Sequence, residues 1–179
     1  MNLQVFGGQL LYKISQTFSK VFSFPHPVNE IAARMVAGMV VIVTLVTILL
    51  DLPWIMLVLA YGFLARVLTG PTLSPMGLIA TRMLAPKINM YKYVAGPPKR
   101  FAQMVGLVFS IIALVLHYGF GLGIEAKIVL GVLAVFASLE CIVGFCTGCF
   151  VFGYLMRWGL IAQEVCDKCN NFVPENRSE

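Results

Sequence analysis

Two Cys-x-x-Cys pairs, Cys146-Thr147-Gly148-Cys149 and Cys166-Asp167-Lys168-Cys169, account for all but one of the chain's five cysteines. Two intervening residues let both sulfurs of a pair reach one disulfide or one metal ion. In disulfide exchange or sulfur relay, one thiolate attacks a disulfide or sulfane sulfur and its neighbour resolves the intermediate. The residue types therefore point to thiol chemistry at Cys146, Cys149, Cys166 and Cys169.

A metal is the competing use. Residues 150–165 separate the pairs, a gap within the range of four-cysteine zinc sites. That gap reads as helix, and a continuous helix would hold the pairs roughly 24 Å apart. Cys166 and Cys169, near the polar tail, are the better zinc ligands. No cofactor is specified beyond that possible zinc. Cys141 reads as a small packing residue.

The elements that carry these sulfurs are apolar. The chain is 59% hydrophobic and 12% charged over 179 residues, where a soluble domain has roughly 25% charged residues. This composition excludes an ordinary soluble domain and predicts one all-α integral membrane domain in contact with the lipid bilayer. Four stretches approach the ~20 residues a spanning helix needs: about 31–50, 53–69, 101–122 and 126–148. They predict a four-helix bundle within a membrane domain of residues 25–149. The apolar run starting at Ala126 continues to about Ile161, too long for one span, so 150–179 reads as an interfacial or fold-back helix with a polar Cys-x-x-Cys tail. Residues 1–24 place Phe6, Leu10, Ile14, Phe18 and Phe22 at helical spacing, the pattern of an amphipathic helix lying on the membrane.

Gly70-Pro71, Ser74-Pro75 and Gly96-Pro97-Pro98 mark the long connection as a loop, with Ser74 capping a short helix through Leu84. Asn29 reads as the N-cap of the first span. Lys and Arg flank the start of the first span and the long connection, and only Lys127 marks the link between the third and fourth spans. The positive-inside rule then puts both termini and the long connection in the cytoplasm. The net charge of +5 reports topology, since no basic face interleaves with aromatics as in a nucleic-acid module.

Charges inside spans are costly and face partners. Glu140 is expected to pair with Arg66 or Arg34, fixing helix register or handling protons beside Cys146. Glu30 lies four residues before Arg34, on the same helical face. At the end of a spanning helix, Cys146 would meet a dipole that disfavours a thiolate. Activation would need Lys or Arg from the long connection, or a helix starting at the glycines.

Several motifs together resemble one uncharacterised bacterial membrane family, the domain of unknown function four-three-nine-five. They are Phe24-Pro25-x-Pro27-Val28-Asn29-Glu30 with Arg34, Gly70-Pro71-x-x-Ser74-Pro75, Pro98-Lys99-Arg100-Phe101-Ala102-Gln103, and Leu139-Glu140-x-x-x-Gly144-Phe145-Cys146-x-Gly148-Cys149. Members of that family can lie beside thioredoxin-like and sulfurtransferase genes, so the resemblance implies sulfur or thiol chemistry with such a partner. A looser likeness is to vitamin K epoxide reductase-type four-helix bundles, with a Cys-x-x-Cys near one end of the last bundle helix. Their second cysteine pair is in an extracytoplasmic loop; here it is C-terminal.

The leading expectation is membrane-embedded thiol exchange or sulfur relay, with Cys146 and Cys149 inside and Cys166 and Cys169 outside. A transporter or channel for a small sulfur anion, lined by Arg34, Arg66 and Glu140 and working as a homodimer, is the alternative. A metal-bound structural protein is the third.

Overall fold

A computed structural model describes residues 28–70, 73–84 and 93–158. The N-terminal segment 1–24 and the pair Cys166 and Cys169 lie outside the described residues. Among the described residues the fold is helical, with one two-residue antiparallel pairing in which β1 (Val28–Asn29) meets β2 (Tyr93–Val94).

Helix α1 (Glu30–Leu49) starts where expected: the Asn29 side chain accepts the Ile31 N–H at 3.0 Å. A tight turn with Asp51 at φ 52° leads to α2 (Ile55–Thr69). Ser74 caps α3 (Pro75–Leu78), accepting the Gly77 N–H at 3.3 Å, and α3 runs on as a π-helical turn, Ile79–Leu84. Helix α4 spans Gly96–Gly119 and α5 spans Gly123–Val143, each closing in a π-helical turn. Helix α6 is Thr147–Arg157.

Helices α1, α4 and α5 are long and apolar enough to cross a membrane. Helix α2 is apolar but has 15 residues, about 22 Å at 1.5 Å per residue against a hydrocarbon core of about 30 Å. The expected third span at 101–122 thus begins five residues earlier, because Pro97 and Pro98 sit in the first turn, where missing amide protons cost nothing.

The closest packing joins α2 to α4 and α1 to α5, while α4 also packs on α5 and α6. The core between them holds Val36, Val40, Met56, Leu59, Phe63 and Leu130. Outward, Ile42, Leu57, Leu64, Val108, Ile128 and Ile142 are exposed, an apolar belt that water would not tolerate and lipid would cover. Five hydroxyls within the helices satisfy themselves. Thr44, Thr47, Thr69, Ser110 and Ser138 each donate to the carbonyl four residues back at 2.7–2.9 Å, so these five are not left bare to hydrocarbon.

The helix expected as the fourth span, α5, ends at Val143, earlier than the expected 148. Gly144 takes the left-handed conformation, φ 77°, and its N–H bonds the Glu140 carbonyl at 3.1 Å. The left-handed backbone at 144 stops the helix, a position that disfavours any Cβ. Cys146 and Cys149 are therefore not at the end of the spanning helix. They open the next one.

Candidate thiol site

The break between α5 and α6 builds the site. Arg34 of α1, expected to turn to Glu30, reaches across to the end of α5. Its Nη2 donates to the Ile142 carbonyl at 2.9 Å and its Nε to the Cys141 carbonyl at 3.4 Å. A cation there satisfies carbonyls with no helical partner and complements the negative end of the helix. Arg34 thus terminates α5 instead of joining an ion pair with Glu140.

Beyond the break, Cys146 is the N-cap of α6, and its Sγ accepts the Cys149 N–H at 3.4 Å. This reverses the electrostatics expected from sequence. A thiolate at a helix N-terminus is stabilised by the dipole and unpaired amides; at a C-terminus it would be opposed. Cys146 is buried and Cys149 half-buried. The hydrogen bond from the Cys149 side chain is the largest influence on Cys146, holding its pKa below the ordinary thiol value against the opposing effects of burial and Glu140. Cys149, the donor in that bond and itself desolvated, is pushed well up. Of the two sulfurs, Cys146 is thus the one favoured as thiolate.

The sequence reading missed Lys99. It lies in the first turn of α4, 6% exposed, and its Nζ is 2.7 Å from Glu140 Oε1. Glu140 therefore pairs with Lys99, not with Arg66 or Arg34. Lys99 also draws the Cys146 thiol toward its charged form. Lys99 stands at the end of the long connection, so both expected routes to thiolate activation, a basic residue from that connection and a helix start at the glycines, occur together.

Helix α6 is held against α4 by close approach at Gly148. A Cβ there would lie 2.6 Å from the Ala102 Cα. One turn on, Phe152 packs against Phe101 with ring centroids 5.6 Å apart. Cys141, the remaining cysteine, packs against α1 beside Gly38, as expected for a small filler.

Two spaces meet at Cys146. A cavity of about 300 Å³ lies among the helices, walled by Val36, Phe63, Phe109 and Phe136, with Gln103, Glu140, Cys146 and Thr147 at its polar end. A more open cleft of about 500 Å³ is lined by Glu30, Pro98, Lys99, Phe145 and both Cys146 and Cys149. The thiol pair is thus reachable without unfolding.

Arg66 does not join the thiols. It is 4% exposed, donates Nε to Gln103 Oε1 at 2.7 Å and Nη1 to Ser74 Oγ at 3.4 Å, and stacks over the Phe63 ring at 4.5 Å. It ties α2, α3 and α4 into one layer. Among the described residues no group of three or more His, Cys, Asp or Glu could hold a metal. The zinc alternative at Cys166 and Cys169 falls outside the described residues.

Apolar helices long enough to span a membrane and a pair of cysteines at a helix break define the class: a helical membrane protein with a cysteine pair in reach of both its interior and its surroundings. The chain belongs to the family described as Domain of unknown function (DUF4395), whose model matches residues 28–157. The match includes Cys146 and Cys149 and ends before Cys166 and Cys169. Neither the curated proteins nor the solved structures give a match, so the looser likeness to vitamin K epoxide reductases gains no support.

Proposed function

We propose that the protein carries out thiol–disulfide exchange at Cys146 and Cys149 within the cytoplasmic membrane. The observation that carries this reading is the Cys146 Sγ at the N-cap of α6, bonded by the Cys149 amide and facing an open cleft beside Lys99. In the reaction, the Cys146 thiolate attacks one sulfur of a partner disulfide. A Cys146–partner disulfide forms and the other partner sulfur leaves as thiolate. Cys149 then attacks the Cys146 sulfur, its proton passing to a departing thiolate. The net result is an oxidised Cys146–Cys149 pair and a reduced partner.

The wider reading is a four-span bundle with both termini in the cytoplasm. The ring of contacts α1–α2–α4–α5 supports the four spans, with α2 the short one. The outer pair, Cys166 and Cys169, would exchange with a soluble thioredoxin-like or sulfurtransferase protein. The anion-path alternative is weakened because Arg34 and Glu140, two of its three lining residues, are committed to the α5 carbonyls and to Lys99.

Trapping tests the reaction. In a Cys149→Ala chain the mixed disulfide through Cys146 cannot be resolved and should accumulate in cells. It should be visible as a reducible adduct on non-reducing gels and absent when Cys146 is also replaced. Failure to find any adduct in cells under oxidising conditions would sink the proposal.

A further inference from the structure

We infer that the cleft beside Cys146 and Cys149 receives this chain's own C-terminal Cys166-Asp167-Lys168-Cys169 segment, so that the two pairs exchange disulfides within one chain. The inference rests on the thiol-exchange reading above and names the partner that enters the cleft.

Reach and chemistry carry it. From Cys146 to Trp158 the chain rises along α6, roughly 18 Å, and from Cys149 roughly 14 Å. Cys166 is eight residues past Trp158, and eight residues span at most ~28 Å. The tail is thus long enough to turn back along α6 and bring its first sulfur to the cleft, with at least about 10 Å to spare. The cleft is also the place where both inner sulfurs are accessible together, bounded by Phe145, Phe150 and Lys99. A tethered dithiol needs no encounter: a linker whose length matches the span gives an effective concentration in the millimolar range.

The step balances without an added reagent. The Cys146 thiolate attacks the oxidised Cys166–Cys169 disulfide, forming a Cys146–Cys166 bond and releasing the Cys169 thiolate. Cys149 then attacks the Cys146 sulfur and gives up its proton as the Cys166 thiolate leaves. The disulfide has moved from the tail to the inner pair, and two thiols have moved outward. The reverse sequence runs with the same bonds.

The test uses the full chain in lipid with Cys149→Ser and Cys169→Ser, leaving Cys146 and Cys166 to be trapped. Oxidised glutathione is the probe, and disulfides are mapped by mass spectrometry. A Cys146–Cys166 link within one chain is expected. It should persist when residues 160–165 are replaced by Gly and Ser. It should fall at least about tenfold when residues 160–165 are deleted, because the remaining ~7 Å of chain plus the ~6 Å between the α-carbons of a disulfide no longer covers the ~18 Å needed. A link only between two chains would overturn the inference. So would glutathione captured on Cys146 with no link to Cys166, an outcome that leaves the thiol-exchange reading standing. A Cys146 inert to both glutathione and Cys166 would end the reading itself.

Discussion

Replacing Lys99 with Met is expected to destabilise the protein by about 3–5 kcal/mol, the cost of leaving a buried carboxylate without its partner. Lys99 and Glu140 lie 2.7 Å apart, with side chains 8% and 14% exposed. Glu140 sits in the last turn of α5 with its side chain largely withdrawn from solvent. The same substitution should move Cys146 reactivity to higher pH, because it removes a cation that favours the thiolate and leaves an unopposed anion that disfavours it. The two effects separate in the double variant. Lys99→Met with Glu140→Leu replaces the pair with apolar groups, so most of the stability should return. Cys146 should return toward its original reactivity, since both opposing charges are gone. Thermal unfolding in detergent and the pH dependence of alkylation measure the two quantities. A Lys99→Met chain as stable as the parent would contradict the buried pair.

The second large effect is expected at Gly148. Gly148→Ala drives a Cβ to 2.6 Å from the Ala102 Cα, and that neighbour is backbone that no rotamer change can move. Overpacking of this kind costs about 1–3 kcal/mol. Here it should also lift the start of α6 from α4, so Cys146 loses its place beside Lys99 and its alkylation slows. Gly153 on the same helix is the control, because a Cβ there meets nothing within 4 Å. Gly153→Ala should leave Cys146 unchanged and gain up to about 1 kcal/mol from the better helix former. Equal effects at the two glycines would show that the contact with Ala102 does not position the thiol.

Local signals in the sequence read correctly and long-range ones did not, for a physical reason. Asn29 and Ser74 cap helices because a short polar side chain before an apolar run satisfies free amides within its own turn. The Cys146 pair was visible from spacing alone. The break at Gly144–Cys146 was obscured because residues 126–161 are almost uniformly apolar. A lipid-facing helix and a packed fold-back helix then look alike. Glu140 was matched to arginines because helical spacing identifies neighbours on one helix, whereas Lys99 is brought to it by the packing of α4 on α5. In the sequence, Lys99 is one of several basic residues flanking the long connection. Its place in the first turn of a spanning helix, directly after two prolines, was the available sign that it is held inward. With the break at Gly144, the sulfurs stand at a favourable helix end in place of the unfavourable one expected.

The central claim is that Cys146 is the attacking thiol and Cys149 the resolving one. The most direct measurement is the pH dependence of alkylation at each cysteine in the lipid-embedded protein, with sites resolved by mass spectrometry. Alkylation follows the thiolate, so its rate rises as pH passes through the pKa. Cys146, held low by the Cys149 hydrogen bond and by Lys99, should react with a midpoint below the ordinary thiol value. Cys149, held high by the same bond and by burial, should stay unreactive over that range. Cys149 titrating first, or Cys146 reacting no earlier than the packed Cys141, would contradict the account.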